Sequence, residues 1–108
     1  MRHVGSLFTL LCLAVFASAK TYRVGPSGNW FDLLHGGGLR PGDEVVLEAG
    51  TYSNGRKLEL SHVGAKGNPI VIRAAENARV VFQRPDARQN TLNLAGTQHL
   101  IVKGLEIT

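Results

Sequence analysis

The sequence predicts an all-β protein folded as a β-solenoid, and three observations support this. Between residues 58 and 108, short triplets recur whose first and third residues are apolar, as in strands that bury alternate side chains. The triplets are rich in β-branched residues and too short to be helices. Similar triplets also return at equal spacing, as Leu58, Val80 and Val102 do, which is typical of coils that stack like residues upon each other.

The equal spacing predicts a specific stacking of the core. The triplets are Leu58–Leu60, Ile70–Ile72, Val80–Phe82, Leu92–Leu94, Leu100–Val102 and Leu105–Ile107. The interval between Leu58 and Val80 also separates Leu60 from Phe82, and Ile70 from Leu92. We therefore expect Phe82 to fill the coil interior above Leu60 and beneath Gly104.

Residues 1–19 have the composition of a secretory signal peptide. A short basic start precedes an uncharged apolar run over residues 7–16, and Ala17-Ser18-Ala19 forms an A-x-A cleavage site. The apolar run is shorter than the roughly 20 residues that span a bilayer. We expect cleavage after Ala19, a mature chain that begins at Lys20, and a secreted product, extracellular or periplasmic if bacterial, with no membrane contact after cleavage.

Cysteine use and charge narrow the function of residues 20–108. The only cysteine, Cys12, lies in the predicted leader, so packing and backbone hydrogen bonds must hold the mature domain without disulfides. Without Arg2 the chain has 11 basic and 8 acidic residues, a net charge of +3. This mild excess suits an acidic polysaccharide as partner but does not favour any one class of partner in particular. Nucleic acid is a poor fit, because there is no basic helix or aromatic-basic interleaving.

The first elements after the leader are a strand, a turn and a short helix. Residues 20–24 read as the strand and residues 25–28 as the turn. Asn29 is expected to cap the helix, and the glycines of residues 36–38 end it. A lone Trp30 invites a sugar-stacking role, but an amphipathic helix that covers the open end of the solenoid core is the stronger reading.

The next element is a turn into a second strand. Pro41-Gly42-Asp43 is expected to make the turn, and residues 44–48 the strand. Alternation places Val45 and Leu47 inside and both glutamates outside. Residues 50–52 end this strand, and Ser53-Asn54-Gly55 makes a further turn.

Four segments together resemble a known family. RPGDEVVLEAGTY (40–52), GNPIVIRA (67–74), ARVVFQ (78–83) and HLIVKGLEIT (99–108) are similar to the opening coils of secreted right-handed parallel β-helix proteins. The resemblance is closest to pectate-lyase-like folds and to the alginate-lyase and chondroitinase-B type polysaccharide lyases. It implies that residues 20–108 are the N-terminal cap and first coils of a β-helix domain, incomplete at the C-terminus, with further coils after Thr108.

The resemblance also limits what function these residues are expected to hold. In lyases of this group the catalytic acid and base, and calcium ligands where present, lie on later coils. We therefore assign no catalytic, cofactor-binding or metal-binding residue to residues 1–108, and expect no cofactor and no activity from this span alone.

Two functions stay open: the N-terminal part of an enzyme that acts on or binds acidic polysaccharide, such as a polysaccharide lyase, or a noncatalytic β-helix module for attachment or partner binding. A truncated, inactive product is a third reading.

Few residues in the span carry a chemical pattern. Glu44 and Glu48 lie on one strand about 13 Å apart along the backbone, far for a glycosidase pair and typical of a solvated outer face. His35, His62 and His99 lack the spacing of a zinc site.

Five basic residues are predicted to lie outward or in turns between coils. They are Arg73, Arg79, Arg84, Arg88 and Lys103. Stacking at about 4.8 Å brings outward residues of one column together, and arginine forks bind uronic-acid carboxylates well. The interspersed acids Glu59, Glu76, Asp86 and Glu106 favour an ordinary mixed-charge surface instead. The sequence leaves both interpretations open.

Overall fold

The computed structural model describes residues 19–84, 86 and 88–108. The predicted leader lies outside these residues except for Ala19, and its cleavage stays a prediction. The elements in chain order are β1 (Thr21–Val24), α1 (Trp30–Leu34), β2 (Glu44–Leu47), β3 (Gly50–Tyr52), β4 (Leu58–Glu59), β5 (Ile70–Ala74), β6 (Val80–Phe82), β7 (Leu92–Asn93), β8 (Leu100–Lys103) and β9 (Leu105–Ile107). No helix among the described residues is long and apolar enough to cross a membrane.

The strands form three parallel sheets around one core. Sheet I has the order β1-β2-β5-β8, sheet II the order β3-β6-β9, and sheet III the pair β4-β7. All named strand pairs are parallel, and from β2 onward the chain visits sheets I, II and III in turn. This cyclic path makes each coil stack on the one before, and it confirms the predicted parallel β-solenoid.

The predicted stacking at equal spacing is wrong. Leu58 pairs with Leu92 rather than with Val80, and Ile70 pairs with Leu100 rather than with Leu92. The offset between stacked residues is thus larger than predicted, and it differs from one sheet to the next. Strand pairing fixes which residues align, while the turns between strands differ in length, so coils of unequal length still stack correctly.

The predicted neighbours of Phe82 are wrong for the same reason. In the register of sheet II it lies between Tyr52 and Ile107, whereas the equal spacing predicts a place between Leu60 and Gly104. Its side chain is nevertheless buried, at 2% exposure. Alternation therefore predicted its direction correctly, although not its neighbours.

Aromatic side chains fill the core beside sheet II. The ring of Phe82 stacks on Tyr52 with centroids 5.0 Å apart and planes 5° from parallel. The Trp30 ring lies nearly perpendicular to both, with its centroid 5.3 Å from that of Tyr52 and 5.6 Å from that of Phe82. Such offset and edge-to-face contacts add to the free energy gained by burying the rings.

The helix α1 covers the core as predicted, although its start differs from expectation. Trp30 is only 5% exposed and Leu34 only 1%, so Trp30 belongs to the core and its sugar-stacking role is excluded. Asn29 occupies the N-cap position, but its side chain makes no capping hydrogen bond. After the helix, Gly36 bridges to Leu60 in parallel, and the cap thereby adds a rung next to sheet III.

Strand β2 buries one residue more than alternation predicts. Val45 and Leu47 are fully buried, as expected, but the outward Val46 is also only 1% exposed. In sheet I, Val46 lies between Arg23 and Arg73 on the neighbouring strands. Long arginine side chains cover apolar surface with their aliphatic stems while the charge stays in water. The outer face of sheet I is therefore partly apolar beneath its charges.

Two predicted core residues are exposed. Leu94 is 47% exposed because β7 ends at Asn93 and the chain turns there. Ile107 is 52% exposed, and within the described residues β9 has a single neighbour, β6. A strand with a partner on one side only leaves part of its inward face accessible to water.

Candidate functional site

Two basic side chains come together on the outer face of sheet I. Arg73 on β5 and Lys103 on β8 are register partners, so they lie side by side on adjacent strands. We call this pair the cationic rung. Val71 and Ile101 form the next outward pair along the same two strands, and Ile101 is 43% exposed. The surface therefore combines two positive charges with an apolar pair, of which Ile101 is exposed and Val71 half-buried.

The cationic rung borders an open depression of about 620 Å³. The turn between β5 and β6 and the start of the β8–β9 turn line it. Its lining residues are Arg73, Ala74, Ala75, Glu76, Asn77, Ala78, Lys103 and Gly104. Asn77 and Gly104 adopt positive φ angles of 62° and 79°. A Cβ at position 104 would lie 3.2 Å from the Cβ of Ala74, so glycine there keeps the two coils in close contact.

The two charges of the rung are held differently. Nε of Arg73 donates to the Glu44 carboxylate at 2.7 Å, and a second guanidinium nitrogen donates to the Ala74 carbonyl at 3.2 Å. These bonds fix the guanidinium plane without using all five of its N–H donors. Lys103 takes part in no ion pair among the described residues. The rung thus offers one oriented fork and one adaptable ammonium group to an anion.

The carboxylates of Glu44 and Glu48 are not arranged as a catalytic pair. Glu44 bonds to Arg73, while Glu48 contacts Arg23 at 3.3 Å. Each acid therefore has its own arginine on the outer face, as expected for a solvated mixed-charge surface.

The five basic residues do not form one column. Arg79 is bound by both carboxylate oxygens of Glu106, at 2.8 and 3.0 Å, beside sheet II. The hydrogen bonds between these two side chains lower the pKa of Glu106 and raise the pKa of Arg79. Arg84 borders a different depression, near Leu92. Of the predicted cations, the structure joins Arg73 and Lys103 in one rung.

His62 is buried and acts in packing. Its Nδ1 accepts from the Leu39 N–H at 3.2 Å, which leaves Nε2 to donate to the Leu34 carbonyl at 2.6 Å. Burial lowers the pKa of His62, with the Leu34 carbonyl opposing this shift. The neutral ring therefore ties the end of α1 to the following loop. His35 accepts from the Glu59 N–H through Nδ1, and among the described residues no group of three or more acidic, histidine or cysteine side chains is placed to hold a metal.

Asp43 is a buried acid that the sequence marked only as part of a turn. It is 2% exposed, and its two carboxylate oxygens accept from the backbone N–H groups of Lys20 and Arg40, at 2.9 and 2.8 Å. Aspartate is common in turns because it bonds to nearby backbone, so the sequence carried no signal for the distant contact to Lys20.

Comparison with known proteins gives one family. The chain matches the profile of the chondroitinase B family over residues 37–107, which begins after α1 and includes β2 to β9. Searches of curated proteins and of solved structures gave no match.

Proposed function

The chain belongs to the chondroitinase B family, and from this we propose that it is the N-terminal part of a secreted β-helix protein that acts on or binds acidic polysaccharide. The predicted leader over residues 1–19 supports export, because its charge, apolar run and A-x-A site follow the order of a signal peptide. The described coils then form the start of a longer β-helix that continues beyond Thr108.

The cationic rung is the observation that carries this proposal. An acidic polysaccharide presents carboxylate or sulfate groups on a chain of sugar rings. Arg73 offers planar N–H donors already oriented by Glu44, and Lys103 offers a mobile ammonium group beside it. Val71 and Ile101 on the same face give apolar contacts for the C–H faces of the rings. The open depression allows a long chain to pass along the surface.

We place turnover, if the protein is an enzyme, outside residues 20–108. Four acids of the span are engaged in ion pairs, among them Glu44 with Arg73 and Glu106 with Arg79. The buried His62 is held on both ring nitrogens by backbone groups. A general acid or base must reach the substrate with a proton to give or accept.

The same engagement of acids and His62 favours a second candidate, a noncatalytic β-helix module that attaches to a polysaccharide. Both candidates use the cationic rung, so binding alone does not separate them. Formation of unsaturated products from chondroitin, alginate or pectate by the complete exported protein would support a lyase. Binding without product supports the module.

The cationic rung is tested by Lys103→Gln in the exported protein, with affinity for chondroitin sulfate measured at low salt. We expect a loss of about three- to tenfold, as for one charge-assisted contact on a partly exposed surface. Lys66→Gln is the matched control, since it removes the same charge at an exposed turn away from the depression. Equal losses in the two variants would indicate general charge attraction and would contradict a site at the rung.

A further inference from the structure

The buried carboxylate of Asp43 forms no ion pair among the described residues, although Lys20 and Arg40 line the same small cavity. Both of its oxygens accept hydrogen bonds, but the donors are the neutral backbone amides of Lys20 and Arg40. A buried carboxylate is costly unless it is both hydrogen-bonded and paired with a positive charge. Within the part of the chain that the structure describes, Asp43 is hydrogen-bonded but has no ion-pair partner.

One of the two donors is the nitrogen at the predicted cleavage site. The bond between Ala19 and Lys20 follows Ala17-Ser18-Ala19, and its nitrogen lies 2.9 Å from Oδ1 of Asp43. This position is fixed, because the Lys20 carbonyl accepts from the Glu44 N–H at 2.8 Å, directly before β1 pairs with β2. The Lys20 nitrogen is therefore held at the carboxylate by the sheet.

We propose that removal of the leader completes this site, so that the new α-ammonium group of Lys20 forms an ion pair with the buried Asp43. The proposal rests on the export proposed above. A leader peptidase hydrolyses the Ala19–Lys20 amide: the C–N bond breaks, hydroxide from water joins the Ala19 carbonyl carbon, and hydrogen joins the Lys20 nitrogen. That amine takes up one more proton from solvent at neutral pH, since α-amino groups have a pKa of about 8.

The surroundings have room for this change. A small cavity of about 240 Å³ lies beside the carboxylate and is lined by Lys20, Tyr22, Gly38, Arg40 and Asp43. An ammonium group needs space for two further N–H donors, and a cavity of this size also holds water to accept from them. The ion pair therefore forms without displacing β1.

The consequence is a coupling between processing and stability. Before cleavage, Asp43 accepts hydrogen bonds from two backbone amides, and β1 is held by ordinary strand pairing. After cleavage, a charge pair joins the first residue of the mature chain to the turn that opens β2. The first rung of sheet I is thus strongest in the exported form, while the precursor keeps a weaker N-terminal edge during export.

The first test is the N-terminus of the protein recovered from the medium or periplasm, followed by amine labelling of the folded protein. We expect sequencing to begin at Lys20. With a limiting amount of an amine-reactive ester near neutral pH, the Lys20 α-amine should label at least about tenfold more slowly in the native protein than after urea unfolding, because an ammonium group held by a carboxylate has no free lone pair to attack the ester. The ε-amine of exposed Lys66 is the internal control and should label equally in both states.

A matched variant separates the charge from the fold. Insertion of Gly-Ser between Ala19 and Lys20 keeps Asp43 and every strand but moves the new ammonium group away from the carboxylate. We expect its Tm to fall by at least about 2 °C, the size of one lost interaction in a β-helix domain that continues beyond these coils, and its α-amine to label at the unfolded rate. Asp43→Asn should also release the α-amine, whereas Asp32→Asn, an exposed acid on α1, should leave it protected.

The outcomes separate this proposal from the proposed function. A secreted protein that starts elsewhere, or one that starts at Lys20 with a freely labelled α-amine, overturns the ion pair and leaves polysaccharide binding untouched. Loss of polysaccharide binding with a protected α-amine overturns the proposed function alone. If Asp43→Asn does not fold, the Gly-Ser insertion still decides the matter.

Discussion

Leu60 and Leu94 end two triplets of the same pattern, yet Leu60 is 3% exposed and Leu94 is 47% exposed. Leu60 has a rung on each side: it bridges to Gly36 of the cap, and its N–H donates to the Asn93 carbonyl of the next coil. At Leu94 the chain leaves β7, and its carbonyl accepts from the N–H and the hydroxyl of Thr97 in a turn. A side chain in a solenoid is therefore buried by the coils above and below it, whereas alternation determines only whether the side chain points inward or outward.

The strands of sheet I show the same rule. β5 lies between β2 and β8, and its inward residues Ile70 and Ile72 are at most 1% exposed. β8 has β5 as its single neighbour within the described residues, and Leu100 and Val102 are half-buried. Substitutions at residues covered by two neighbouring strands should therefore lower stability more than substitutions at residues covered by one.

The largest effect is expected at Phe82, which lies between two rungs and stacks on Tyr52. Phe82→Ala should lower the free energy of unfolding by about 3–5 kcal/mol, as for other large buried aromatic residues. Urea unfolding followed by circular dichroism measures it. Glu59→Ala on an exposed position is the control and should stay within about 0.5 kcal/mol. Equal effects would show that the assignment of inner and outer faces is wrong.

The leucine pair gives the next effect. Leu60→Ala should lower the free energy of unfolding by about 2–5 kcal/mol, whereas Leu94→Ala should lower it by less than about 1 kcal/mol, because the second side chain is already half in water. Both variants remove the same atoms, and urea unfolding of each against the parent protein makes the measurement. A large loss at Leu94 would mean that another coil covers it in the complete protein.

Close contact between coils also predicts that adding a Cβ at one glycine lowers stability. A Cβ at Gly64 would clash with the His99 carbonyl and lie 3.0 Å from the Ile70 nitrogen, both backbone atoms that cannot move aside cheaply. Gly64→Ala should therefore cost about 1–3 kcal/mol. Gly55→Ala, where no atom lies within 4 Å, should be neutral or stabilising by up to about 1 kcal/mol. Thermal unfolding of the two variants compares them, and a stable Gly64→Ala would contradict the close approach.

The smallest effect is the pH dependence from His62. Its folded pKa lies below the ordinary value of about 6.5, so the neutral ring is favoured in the folded state. As the pH falls, the His62 imidazole is protonated in the unfolded chain before it is protonated in the folded protein. The free energy of unfolding therefore decreases from about pH 6.5 down through the folded pKa. The urea midpoint of the parent protein should fall more steeply over this range than that of His62→Gln. Parallel slopes would exclude His62 as the source.

The sequence predicted the solenoid well because alternation reports the direction of each side chain. All six triplets overlap strands, and Trp30 joins the core of the cap. The stacking of coils was wrong, because equal spacing along the sequence assumed turns of equal length. Turn lengths are set by loops that add little to the pairing energy, so they vary freely.

The site was predicted less well than the fold. Arg73 and Lys103 were both expected outside, but their pairing follows from the register of β5 on β8, which no repeat in the sequence shows. The burial of Val46 and Asp43 was missed because both residues depend on partners distant in the sequence: Val46 is aligned with arginines on the two neighbouring strands, and Asp43 accepts from the Lys20 N–H. Local patterns carry no information on such contacts.

The contact of Trp30 with the stacked rings of Tyr52 and Phe82 also makes intrinsic fluorescence sensitive to the packing of the cap. Trp30 is the only tryptophan in the sequence, and Tyr52 lies 5.3 Å from it. Light absorbed by Tyr52 is therefore passed to Trp30, whose buried indole emits at short wavelength. If the coil carrying Tyr52 separates from the cap, the transfer stops and the emission moves to the red. A single fluorescence spectrum thus distinguishes a docked cap from a loosened one, without any label.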